Sequence, residues 1–542
     1  MLVLADFLDT LLRGILLLGV SVSLGSVAWG LWVLRAREAG VPGAVWVRCL
    51  RLLQIGAIVL ALAQILLLAL RVATLADFLG PGVFWDFAAT RQFEAGVARA
   101  VLALGLAVTA RWLEAAPGAH GRWALATALA VLLAASGAWL THATGRLDYR
   151  GALMALTVFH QAGSAVWLGG LVQLGLLWPL TRRSPEVDAL WPDLVARFSR
   201  LALLAVIALV ASAIPLVWVY AGSLQGLLGT GYGSLVVTKA MLLSAVLLLG
   251  AFNLAAARLQ GRGRPGTVRT RLVSLAEGEV IILVMILFTT SALSTQPPPV
   301  DVPVADQATV SDVVEVFRPK VPTLRTPSLD AMQQNRDQRL PEGERSRDAY
   351  LWSNFSHNVA GLILLGMSLF ALVGSLRGAT WGRHWPLGFV LLAVFVFLRA
   401  SANEGTWPFG GAPIWEVGQE GIQHRIAAVL ALVLGLLEWR ARAGRHADGR
   451  LAYVFPVLGA AGGVILLAHS HVAFELKSSF LVQVTHSTMG AFAALMVAGR
   501  WLELRLAPPS RRLAGMAASA AMLAIALILL FYREANVVVP LD

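Results

Sequence analysis

The chain has 542 residues, of which 58% are hydrophobic and 14% charged, and its mean hydropathy is +0.72. So little charge cannot cover a soluble surface, so lipid is the solvent this composition fits, and the apolar runs leave no room for a sizeable soluble domain. The net charge of +12 lies in short loops between those runs, not in basic stripes interleaved with aromatics, so topology accounts for it and nucleic acid is set aside as a partner.

A helix that crosses a bilayer needs about 20 mostly apolar residues. Runs that meet this fall at 11–34, 52–75, 94–112, 123–141, 152–178, 200–221, 233–256, 273–295, 354–376, 386–400, 422–438, 452–469, 479–499 and 513–532. The fold expected is therefore all-α, a polytopic transmembrane helical bundle of about fourteen helices. The segment Met1–Thr10 carries Asp6 and Asp9 and no basic residue. The apolar run after it continues to about Leu34, too long for a cleaved signal core, and reads as the first membrane helix.

One segment interrupts the pattern. From Gln296 to about Asp348 the chain is polar and holds Pro297, Pro298, Pro299, Pro303, Pro319, Pro322, Pro327 and Pro341. It reads as a linker or a small irregular lid on the outer side. It divides the chain into an eight-helix membrane domain (1–295), a Pro-rich linker (296–350) and a six-helix membrane domain (351–542).

Arginine sets the orientation. The loop with Arg35, Arg37, Arg48 and Arg51, and every second loop after it, is basic; the opposite set holds mainly Arg91, Arg146, Arg150 and Lys477. The positive-inside rule puts the first set in the cytoplasm, so both termini face the outside. An even number of spans gives the same result.

Seven of the ten histidines then fall at the outer ends of helices or within about two turns of them: His142, His160, His357, His424, His469, His471 and His486. Their placement is independent of the Arg and Lys count. A lone membrane histidine more often bonds a neighbouring helix than a metal. Seven on one side point instead to shared chemistry, and neutral imidazole is a common ligand for copper and zinc. His469 and His471 form a His-x-His pair. Paired histidines on membrane helices also hold b-type haem, so bis-histidine ligation of haem by residues such as His160 and His486 is the alternative. A third reading has the histidines only joining helices. With one cysteine, Cys49, no CxxC metal site is possible.

Lys239, Asn253, Glu277 and Glu279 are polar residues inside apolar runs. An internal ion pair or hydrogen bond is the simplest use for them, and a carboxylate such as Glu279 also suits an ion or proton path. Met285, Met367 and Met489 are scattered and read as core filler. No phosphate-binding loop, Walker lysine or nucleophile elbow occurs, so neither an enzyme nor an ATP-driven pump is expected.

The run from Phe159 and His160 to Trp167-Leu168-Gly169-Gly170-Leu171 resembles the "H…WLGGL" helix of the copper resistance protein D (CopD) family. The stretch from Arg197-Phe198-Ser199-Arg200-Leu201 through Gly231-Tyr232-Gly233 and Lys239 to Asn253 is similar to it too, as is Glu279 ahead of Pro297-Pro298-Pro299. The resemblance covers roughly 140–300, and the rest looks like the C-terminal membrane extension of longer bacterial CopD-like proteins. It implies a multi-pass protein of the bacterial inner membrane, which makes the outward-facing termini periplasmic, linked to copper homeostasis and moving copper from periplasm to cytoplasm. His142 and His160 match the family's histidine positions, Trp167 belongs to its motif, and Trp167, Lys239, Asn253 and Glu279 mark a candidate path. Some relatives carry a fused periplasmic copper-binding β-domain. The linker is too short and Pro-rich to be one, so a separate periplasmic copper carrier is expected as a partner.

Overall fold

The computed structural model of the protein describes residues 5–35, 40–258, 265–331, 347–377, 380–413, 419–444, 449–468 and 477–534. In hydrocarbon every backbone N–H and C=O must be bonded within the chain, and a single apolar run achieves that as a helix. The described residues follow this rule. Their only β feature is an isolated bridge between Thr406 and Ala412, and thirteen helices are long and apolar enough to cross a membrane. The helix Gln419–Ala443 stands at the eleventh apolar run and makes fourteen long helices among the described residues.

In chain order these are α1 (Ala5–Ala28), which runs on into a π turn at Trp29–Val33, α2 (Gly43–Leu79), α3 (Arg91–Ala115), α4 (His120–Ala138), α5 (Arg150–Thr181), α6 (Pro185–Ala221) and α7 (Gly231–Arg258). They continue with α8 (Pro265–Leu293), α9 (Arg347–Arg377), α10 (Leu387–Glu404), α11 (Gln419–Ala443), α12 (Val454–Ala468), α13 (Lys477–Arg505) and α14 (Ser510–Leu530). Packing groups them into two compact units. The first spans Met1–Gly222 with Thr290–Pro298, and the second Ser223–Thr289 with Pro299–Asp542. Grouped by contact, α7 and most of α8 go with the later helices, which differs from a division by chain order at the linker.

In the first unit α1 packs on α2 and α5, α2 on α3, and α5 on α6. Lipid tails are as apolar as leucine, so helices here gain little from hiding apolar surface and associate by close packing. Gly25 of α1 and Gly169 of α5 show how. A Cβ on Gly169 would lie 2.2 Å from the Ser21 carbonyl oxygen, and one on Gly25 would lie 2.5 Å from the Gly169 Cα. The Trp-Leu-Gly-Gly run thus brings two backbones together, while Trp167 is buried in the same helix. Beside this contact, the Gln173 amide of α5 donates to Ser26 Oγ at 2.8 Å and to the Cys49 carbonyl at 3.3 Å. That amide ties α1, α2 and α5 together and leaves Cys49 fully buried.

In the second unit α14 packs on α9 and α13, α10 on α11, and α12 and α7 on α13. Its core gathers Leu364, Met367, Phe389, Leu434, Phe455, Met489, Met522 and Ile525. Between α8 and α9 the described part of the linker is irregular apart from short turns, helical residues at 329–331 and the helix Val310–Phe317, which Thr309 and Asp312 cap reciprocally. That helix buries Val316, with Ala308, against Phe480, Leu481 and Val484 of α13.

Gly169→Ala should force α1 and α5 apart and lower stability by about 1–3 kcal/mol, read as a lower unfolding temperature in detergent. Gly175→Ala, where nothing lies within 4 Å, should leave that temperature unchanged.

Candidate functional site

The polar start of α9 has a structural use. Asn354 Oδ1 accepts from the Glu534 amide at 2.7 Å. Asn358 Nδ2 donates to the carbonyls of Leu529 at 3.1 Å and Tyr532 at 2.8 Å, and its Oδ1 accepts from the Thr323 amide at 2.6 Å. The Nδ2 bonds reach the carbonyls of Leu529 and Tyr532 at and just beyond the end of α14, where intrahelical donors run out. They also fix the chain beyond α14, so that Tyr532 stacks on His357 with centroids 4.1 Å apart and planes at 30°.

His357 faces His486 of α13 at 5.8 Å between centroids, edge to face at 89°. Each ring is oriented by its own helix. His357 Nδ1 lies 2.8 Å from the Ser353 carbonyl and His486 Nδ1 lies 2.8 Å from the Val482 carbonyl. A carbonyl oxygen only accepts, so in each ring Nδ1 carries the hydrogen and Nε2 the lone pair. Bonding one ring nitrogen to a backbone carbonyl so that the other is presented to an ion is the arrangement metal-binding histidines use.

Three other histidines of the predicted set are described, each with partners of its own. His424 Nε2 accepts from Arg399 Nη1 at 2.9 Å, which commits that lone pair to a guanidinium. His160, in the first unit, turns Nδ1 to the Leu209 carbonyl at 3.1 Å, with Ser212 Oγ at 3.4 Å. His142 lies edge-on to Tyr220, 6.5 Å between centroids. His469 and His471 lie outside the described residues. Among the described residues, no three His, Cys, Asp or Glu side chains come together in a way that could hold a metal ion.

Two neighbouring glutamates of α8 have different partners. Glu277 receives two bonds from Arg505, both at 2.7 Å, and one from Trp501 Nε1 at 2.9 Å. This is an interhelical ion pair of the kind expected for a polar residue in a membrane helix. Glu279, only 4% exposed, accepts from Asn253 Nδ2 at 2.7 Å, so its partner is a neutral amide. The Asn253 Oδ1 is buried without a hydrogen-bond partner. Lys239 stands fourteen residues earlier on α7, roughly 21 Å along the helix.

The contacts of Tyr532, Asn354 and Asn358 give no sequence signal of their own, since they depend on how the chain turns after α14. Arg399 did carry one: an arginine inside a membrane segment needs a partner.

Residues 192–293 match the family model described as Copper resistance protein D, CopD. The chain carries a CopD-family region. This CopD region contains Lys239, Asn253 and Glu279; His142, His160 and Trp167 precede it, and His357, His424 and His486 follow it. The chain is also 30% identical over 140 residues to the copper transport protein CutJ of Bacillus subtilis (strain 168). That alignment covers 26% of this chain and 25% of CutJ, so the chain spans about a quarter of the relative it matches. No solved structure matches.

Asn358→Ala removes three hydrogen bonds and should lower stability by about 1–3 kcal/mol. Limited proteolysis should then cut faster beyond residue 530. Glu277→Gln breaks the pair with Arg505 and should lower the unfolding temperature more than Glu279→Gln does.

Proposed function

We propose that this chain is a copper-handling protein of the bacterial inner membrane that binds copper through histidines near its periplasmic face and passes it toward the cytoplasm. The observation that carries this reading is the His357–His486 pair: two imidazoles from different helices, each with Nδ1 held by its own backbone, in a chain with a CopD region. Two imidazoles suit copper in either common oxidation state. The basic loops support an orientation with both termini periplasmic, which puts the pair near the periplasmic side. Asn253 and Glu279 lie toward the opposite side of that topology and provide oxygen ligands on the inward path.

His142 and His160 supply imidazoles to the first unit on the same predicted face. His469 and His471 belong to the predicted set as well, whereas His424 serves Arg399. A separate periplasmic copper carrier delivers the ion in this scheme, since the linker is too short for a copper-binding β-domain. The chain has no nucleotide-binding motif, so transport runs down a gradient or with protons, and no catalysis is assigned.

Purified protein should bind copper stoichiometrically. His357→Ala or His486→Ala should remove at least one equivalent and slow copper uptake by cells, and His160→Ala should reduce binding in the first unit. His424→Ala should leave the stoichiometry unchanged. Full copper binding and uptake in the 357 and 486 variants would sink the reading. A Soret band in the purified protein, lost in the same variants, would replace copper with b-type haem.

A further inference from the structure

Below the His357–His486 pair, the second unit has a run of thioethers. On α13, His486, Met489, Ala493, Met496 and Arg500 follow one another at spacings of three and four, so they share one helix face. Met489 and Met522 are each 2% exposed and Met367 is 4% exposed. These three come from α13, α14 and α9 and lie in one core cluster, against which Met496 packs. Methionine is common filler in apolar cores. Here Met489 and Met496 share the helix face that carries His486, Met522 packs in the same cluster from α14, and Met496 and Met522 line a cavity.

The stripe ends at that cavity. It measures about 20 Å³, room for one water-sized occupant, and its wall includes Met496, Met522, Ser519 and Trp385. Arg442, Arg500 and Glu503 line it too, and with Glu438 they form a balanced charge network. Arg442 and Arg500 each contact Glu438, at 2.5 and 3.0 Å, and each contact Glu503, at 3.3 and 2.8 Å. Glu438 is fully buried, and its Oε2 has no hydrogen-bond partner. Arg500 lies fourteen residues beyond His486, roughly 21 Å along α13, so imidazoles and charge network bracket the thioethers.

We propose that the core of the second unit holds a thioether site for a soft monovalent cation, Cu(I), formed by Met489 and Met522 with Met496 beside them, which receives the ion from His357 and His486. Thioether sulfur is a soft ligand that suits Cu(I), and a monovalent ion brings only one positive charge into the core, whereas a divalent hard ion brings two and would need anionic oxygen ligands. The proposal rests on the copper reading above and adds to it an oxidation state and an inner station.

The test is anaerobic titration of the full-length protein with Cu(I) against a chromophoric Cu(I) chelator, and with Ag(I) as a redox-inert probe. The Met489→Leu/Met522→Leu variant keeps the side-chain volume nearly constant and should bind Ag(I) and Cu(I) at least tenfold more weakly, or with one equivalent fewer. X-ray absorption of Cu(I)-loaded protein made with selenomethionine should show copper–selenium scattering, a readout that does not depend on the variant folding. Unchanged titrations, or a copper edge without selenium neighbours, would overturn the thioether site. If the histidine variants lose copper while the methionine variant binds like wild type, capture at the imidazoles stands and the inner station falls. If the wild-type chain binds neither Cu(I) nor Cu(II), the copper reading fails first and this proposal with it.

Discussion

In a bilayer interior no water is available to bond an unpaired polar group, and that constraint governs this structure. It makes every apolar run a helix. It also makes an idle polar side chain inside those helices costly, and several of them have partners that explain them. Gln173 ties three helices together. Glu277 is matched by Arg505 and Trp501. Asn354 and Asn358 bind the chain that leaves α14. Where the match is incomplete, as at Asn253 Oδ1 and Glu438 Oε2, the site is one where a passing ion could find a ligand.

The two units use different means of cohesion. The first brings α1 and α5 into backbone contact through Gly25 and Gly169, so the Gly-Gly step of the motif that resembles CopD has a packing role that needs no metal. The second relies more on polar connections: the asparagine clamp at one end and the four-charge network at the other. Between those ends lies a core of leucine, phenylalanine and methionine. Imidazoles at one level, thioethers below them and carboxylates beyond make a graded series of ligand types along α13.

Much of this was legible in the sequence. Fourteen apolar runs became fourteen long helices because length and hydropathy nearly decide the fold of a membrane segment. The ends were less legible. The second run was expected at 52–75 and the helix covers Gly43–Leu79, because amphipathic ends continue the backbone hydrogen bonding past the apolar stretch. Seven histidines could be assigned to one predicted face, but their partners could not be read. His424 faces Arg399 and His357 faces Tyr532, and both contacts depend on helix rotation, which hydropathy leaves undetermined. His469 and His471, the most suggestive spacing in the chain, lie outside the described residues. The close approach at Gly169 was likewise invisible, since a glycine in a helix reads the same whether or not another backbone lies against it.

The burial of Cys49 has a chemical consequence. A thiolate is among the strongest ligands for soft metals, and an accessible one could trap the cargo or be oxidised by it. The lone thiol of this chain is enclosed by α1, α2 and α5 and fixed beside the Gln173 amide. On the proposed copper path the ion would meet exchangeable nitrogen, thioether and oxygen donors, and the thiol of Cys49 would stay out of its reach.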